Sequence, residues 1–214
     1  MSKPRNFRLV VIRTGQTEWD RVGRLGGSAD LPLCEAGESA LRVTLDGFEA
    51  PEDGDVTVRV LSSEDEASVQ TAAAVTESLG GTTKALEGLR EVGLGLWEGS
   101  LRSELEERRP TAFRRWVDGP WNVTPPEGEP LDEAAGRLRA QVLRSLEKQK
   151  SAVGTVVLVV RPIAWSLIVA WLRGVSAASV AEIQAEDCPL SMHDVELSAL
   201  KRLALRAPVG SGAA

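Results

Sequence analysis

The sequence predicts a three-layer α/β/α sandwich built on a mostly parallel central sheet of about six strands, and three observations predict it. Apolar, β-branched runs at Leu9–Ile12, Val56–Leu61 and Val153–Val160 read as strands, and the last lacks in–out alternation, as a strand covered on both faces does. Runs with helical spacing follow the second and third of these strands, which is the βα unit of a parallel sheet. The first strand ends abruptly in Arg13-Thr14-Gly15, setting a cation, a hydroxyl and a glycine where open α/β sheets keep their ligands.

Taken in order, the first strand leads into an irregular loop through Gly23, Gly26, Gly27 and Pro32, and the proline excludes a central strand there. Ala36 to Phe48 places Ala40, Leu41, Leu45 and Phe48 on one helical stripe. The turn cluster at 51–55 precedes the second strand, Ser62-Ser63 ends it, and Ala67 to Leu79 reads as a helix stopped by Gly80-Gly81. Thr82 to Leu86 is a short strand, and Leu89 to Gly99 a glycine-spaced loop. Pro110 separates two short helices, Leu101 to Arg108 and Thr111 to Val117. Gly119 to Pro130 reads as a long loop of the kind that carries function or forms a lid. Leu131 to Lys150 is a long helix burying Leu138, Val142, Leu143 and Leu146. The strand at 153–160 belongs at the centre of the sheet, and Pro162 opens a helix running to about Arg173. A short helix over 176–183 and a late strand over 192–197 complete a single domain over 1–207, with a disordered tail at 208–214.

Composition narrows the function. The chain has 214 residues, 43% of them hydrophobic and 26% charged, enough for one sizeable core. A net charge of −6 without a basic tract argues against nucleic-acid binding. The longest apolar region, Val156 to Leu172, is broken by Arg161-Pro162 and is too short to span a bilayer, so no membrane association is expected. Cys34 and Cys188 stand far apart with no ligand spacing, consistent with a reduced cytoplasmic setting and with no metal or cofactor.

Four separated segments, in order, resemble the histidine phosphatase superfamily, the phosphoglycerate mutase-like proteins. Arg13-Thr14-Gly15-Gln16-Thr17-Glu18-Trp19-Asp20 is similar to the family's R-H-G-E-T-x-W-N, and Gly23 to Gly37 to its G-R-x-x-G-x-x-D-x-P-L-x-x-x-G. Ser62-Ser63, Gln70-Thr71-Ala72, Leu89-Arg90-Glu91 and Gly95 to Gly99 form the third segment; Pro125 to Glu129 and Val157 to Val160 form the last. The resemblance implies a pocket with a phosphate-accepting histidine, a second histidine on the last central strand, two arginines and a carboxylic acid. Arg13 matches the first arginine and Glu91 the acid, while Thr14 stands at the nucleophile and Ala67 at the second arginine. Counting puts Pro162 at the second histidine, with Arg161 beside it; a slip of one residue puts Arg161 there instead. The only histidine is His193, in the late strand.

These departures lead to an expectation that no residue is catalytic and that Arg13, Thr14, Ala67, Glu91 and Pro162 are vestigial pocket positions. Arg13, Thr17, Arg24, Glu91 and Arg161 are the ligand-binding candidates, and the partner is a protein or a small anionic ligand, with a homo-oligomer left open. The favoured reading is a pseudoenzyme with a binding, regulatory or assembly role. Two alternatives stay open: a phosphatase-like hydrolase using Glu91 and Arg13, and a sensor that binds phosphometabolites without hydrolysing them. Glu64-Asp65-Glu66 weighs against a dianionic ligand, because like charges repel.

Overall fold

A computed structural model describes residues 5–48, 57–149, 153–175 and 179–205. Five strands form its sheet in the order β3-β2-β4-β1-β5: β1 (Asn6–Arg13), β2 (Thr57–Ser62), β3 (Thr82–Ala85), β4 (Val153–Val160) and β5 (Leu190–Glu196). The expected count of about six is therefore corrected to five among the described residues. The first four strands are parallel and β5 pairs antiparallel with β1, so the sheet is mixed. The second strand's first expected residue, Val56, the 51–55 turn, the start of the 176–183 helix and the 208–214 tail lie outside the described residues.

The helices follow the predicted stripes with small shifts. They are α1 (Glu18–Arg21), α2 (Glu35–Asp46), α3 (Glu66–Leu79), α4 (Arg102–Arg108), α5 (Pro110–Asp118), α6 (Leu131–Glu147), α7 (Pro162–Arg173), α8 (Val180–Gln184) and α9 (Leu197–Leu205). Two of them are not foreseen by the apolar pattern: α1, a single capped turn, and α9, which directly continues β5. The long loop before α6 contains a 3-10 turn at Pro120–Asn122.

Strand alternation divides the core between the two faces of the sheet. Val10, Ile12, Val60, Val157 and Val159 pack with Leu41 and Leu45 of α2 and Ala72 and Val75 of α3. Leu9, Val11, Leu158 and Val160 pack on the opposite face with Leu138, Val142 and Leu146 of α6 and with Trp165, Ile168 and Val169 of α7. Val156 to Val160 are all fully buried, which explains why β4 carries no polar face. The α7 helix is buried from Ile163 through Trp171, as a helix apolar on all sides must be, and it packs against α6, α8 and β1.

One close approach positions the site. A Cβ on Gly37 in the first turn of α2 would lie 2.2 Å from the Gln16 carbonyl oxygen, so only glycine lets the turn after β1 rest against this helix.

Candidate functional site

The parallel strands β2, β4 and β1 lie side by side and end at the same level. Ser62 is paired with Val159, Ser63 N–H donates to the Val159 carbonyl, and Thr14 N–H donates to the Val160 carbonyl. Continuing the alternation of Val60, Val159 and Ile12 brings Ser62, Arg161 and Thr14 onto the face covered by α2 and α3. All three are buried, and each carries polar atoms with no hydrogen-bond partner: Ser62 Oγ, Thr14 Oγ1, and Nε and Nη1 of Arg161. Orphaned buried groups of this kind are rare and concentrate at sites.

Arg161 is 3% exposed, and its one ion-pair partner among the described residues is Asp20, with Nη2 3.2 Å from Oδ2 and 3.4 Å from Oδ1. Asp20 in turn belongs to the capping box of α1. Its Oδ2 accepts from the Thr17 N–H and hydroxyl, while the Thr17 hydroxyl accepts from the Asp20 N–H. Thr17, a ligand-binding candidate from the sequence, is thus spent locally. Asp20 is the residue that sequence reasoning passed over, although Thr17-x-x-Asp20 was a legible capping signal.

Glu91 sits at the start of α7. Pro162 at the first helical position has no N–H to offer, and the next two N–H groups, of Ile163 and Ala164, donate to Glu91 Oε2 and Oε1 at 2.8 Å each. Val92 N–H also donates to Oε1. The carboxyl therefore caps a twelve-residue helix from a distant loop. Burial pushes its pKa up to about 7, against the opposing pull of these N–H groups and of Arg161.

Arg13 points to the other face of the sheet. Its guanidinium donates to the Gln184 and Glu186 carbonyls at 3.2 and 3.1 Å and lies 5.3 Å from the centre of the Trp165 ring. Burial lowers its pKa, with Cys188, Asp187 and Glu186 acting in the opposite direction. Arg13 and Glu91 bind separate partners. Arg24 donates to the Gly99 carbonyl and pairs with Leu101, closing the loop after α1. Ala67 is fully buried in the first turn of α3, just after the capping residue Asp65. The only histidine, His193, bonds to Ser191 on β5, and burial lowers its pKa.

The Arg161–Asp20 pair stands between two openings. Asp20 lines a cavity of about 430 Å³ together with Arg13, Thr14, Leu41, Pro162 and Asp187. Arg161 lines a smaller one of about 250 Å³ with Ser63, Glu64, Asp65, Glu87 and Glu91. Trp165 does not fill the larger cavity, because its indole N–H is bonded to the Val11 carbonyl beneath the sheet end. Among the described residues no group of three or more His, Cys, Asp or Glu side chains is placed to hold a metal, and no helix is long and apolar enough to cross a membrane.

The comparisons with known proteins agree with this geometry. The family described as "Histidine phosphatase superfamily (branch 1)" matches residues 9–203. Phosphoserine phosphatase 1 of Hydrogenobacter thermophilus is 30% identical over 132 residues, which cover 62% of this chain and 61% of that protein, less than two thirds of its length. A probable phosphoglycerate mutase GpmB of Photorhabdus laumondii is 28% identical over 198 residues, 90% of this chain and 86% of its own. Among solved structures, mycobacterial hydrolase 1 superposes with a TM-score of 0.72 at 24% identity, covering 83% of this chain and 86% of that one, a likeness of fold. With the family match spanning nearly the whole chain and the sheet, helices and cavity arranged as described, the chain belongs to the histidine phosphatase superfamily.

Proposed function

We propose that this chain is a histidine phosphatase-like protein that does not carry out phosphohistidine chemistry and serves as a binding, regulatory or assembly protein. One observation carries the reading. At the position where the resemblance places the phosphate-accepting histidine, the Thr14 hydroxyl has no hydrogen-bond partner, so no base stands ready to take its proton. A threonine hydroxyl is a weak nucleophile without such a base.

The surroundings point the same way. His193 pairs with Leu9, five residues down β1 from Thr14, or about 16 Å at the rise of a strand. The second histidine's place falls to Pro162 or Arg161; the first has no titratable group and the second is engaged with Asp20. Ala67 supplies no charge where a second arginine is expected, and Arg13 donates to two carbonyls and lies over an indole ring. Glu91 would have to surrender the cap of α7 to deliver a proton to a leaving group. Glu64 and Asp65 line the smaller cavity and oppose a phosphate dianion.

The test is a phosphatase assay on the whole protein with p-nitrophenyl phosphate, phosphoserine and 3-phosphoglycerate. The expected result is release of inorganic phosphate no faster than in buffer. Turnover that disappears in Arg13→Ala and Glu91→Gln would overturn the reading.

A further inference from the structure

The larger cavity offers hydrogen-bond acceptors without a free charge, and that combination selects a ligand class. Its volume of about 430 Å³ lies within the usual range of small-molecule sites, roughly 300–1,000 Å³. Thr14 lines it, is 6% exposed, and carries a hydroxyl with no partner. A buried polar group left unpaired is costly, so a ligand atom that completes it binds more tightly.

Two carboxylates line the same cavity, and each is attended by a cation. Asp20 is paired with Arg161, while its Oδ1 makes only the longer contact of 3.4 Å. Asp187, at the exposed rim, is one of the charges acting on Arg13, whose Nη1 and Nη2 each donate to one carbonyl, of Gln184 and Glu186. A phosphate ester entering here meets two carboxylates, and each nearby guanidinium already faces one of them, Arg161 pairing with Asp20 and Arg13 lying beside Asp187. An ammonium meets carboxylates already neutralised by arginines. Hydroxyl groups incur neither penalty: they donate to Thr14 Oγ1 and to carboxylate oxygens, which bind sugar hydroxyls well. Ala40, Leu41 and Pro162 supply an apolar wall for the C–H face of a ring.

We propose that this cavity binds a neutral polyhydroxylated small molecule, a monosaccharide or cyclic polyol, with Thr14, Asp20 and Asp187 accepting its hydroxyl protons. The inference rests on the reading above that the pocket binds without hydrolysing.

The experiment is saturation-transfer NMR on the full chain with D-glucose, D-ribose and myo-inositol, run beside D-glucose 6-phosphate, D-ribose 5-phosphate and ethanolamine. At least one neutral compound is expected to saturate the protein, with its phosphate ester and ethanolamine each about tenfold weaker or worse. Thr14→Val and the rim variant Asp187→Ala are each expected to weaken the neutral ligand about fivefold or more, the effect of one lost hydrogen bond, with unfolding curves close to wild type. Absence of binding by all three neutral compounds overturns the inference, as does equal binding of ester and sugar or an unchanged affinity in both variants. Phosphate release from the esters in the same samples would instead overturn the non-hydrolytic reading, so the two failures are told apart.

Discussion

Replacing Glu91 by glutamine should abolish a pH dependence opposite in sign to the one a carboxylate usually gives a folded protein. In the folded chain its pKa is pushed up from 4.5 to about 7 by burial. Between those values the folded state holds a proton that the unfolded state has lost, so stability is fully present below pH 4.5 and falls as pH rises towards 7. The gap between 4.5 and about 7, at about 1.4 kcal/mol for each pH unit, amounts to roughly 3 kcal/mol. Glutamine cannot ionise and removes this dependence. It also turns an amide NH₂ towards one of the three N–H groups that the carboxylate accepts, a pH-independent loss of about 1–3 kcal/mol. Urea unfolding of both proteins from pH 4 to pH 8 measures the difference. The variant should gain roughly 3 kcal/mol on wild type across that range, or about 6–12 °C in Tm for a chain of this length. His193 and the other titrating groups are common to both proteins and cancel. A difference that stays flat with pH, or that moves in favour of wild type as pH rises, would refute the assignment of a raised pKa to Glu91.

Three further outcomes follow from the geometry. Thr14→Val removes an unpaired buried hydroxyl at nearly constant shape and should leave urea stability unchanged or raise it by up to about 1 kcal/mol; a loss larger than that would mean the hydroxyl is satisfied. The double substitution Thr14→His with Pro162→His should give no phosphatase activity above wild type, because Ala67, Glu64 and Asp65 remain and Asp20 still holds Arg161; measurable turnover would show that these residues matter less than argued. Gly95→Ala should cost at least about 2 kcal/mol in thermal or urea unfolding. Gly95 has φ +51°, and a Cβ there would lie 2.2 Å from the Pro126 carbonyl oxygen. Wild-type stability in this variant would mean that the 125–128 turn yields more easily than its backbone contacts imply.

The central strand of the frame was legible by what it lacked. The run from Val156 to Val160 has no polar alternation, and it is the strand buried on both faces. The late strand alternates in burial, which suits a place away from the centre, but its antiparallel direction depends on pairing with β1, and nothing local encodes that. The α1 turn is invisible to the apolar pattern because four residues carry too few apolar positions to show a period, and its signal lies in the Thr17–Asp20 cap. At the site, the sequence identified which positions to examine without revealing what their side chains reach. Arg13 and Arg161 are both arginines at strand ends, yet one turns to carbonyls and an indole ring and the other to a partly buried aspartate on the opposite face. That difference follows from strand parity at two neighbouring strands, and it becomes decisive only once their register is known. Sequence alone leaves Glu91 as either a pocket acid or a framework residue; its contacts with α7 come from residues more than seventy positions away.

The strand order has a consequence for how the chain is made. The sheet neighbours of β1 are β4 and β5, so the earliest made of these five strands waits for the last two before it can pair. At about 5–20 residues per second, synthesis from Arg13 to Leu190 takes roughly ten seconds or longer. During that interval an apolar strand with two open edges is exposed, and β2 and β3, which pair with each other, cannot shield it. Assembly of the central sheet is therefore a late event dominated by contacts between opposite ends of the chain, and nascent chains halted before β4 should depend on chaperones to stay free of aggregates.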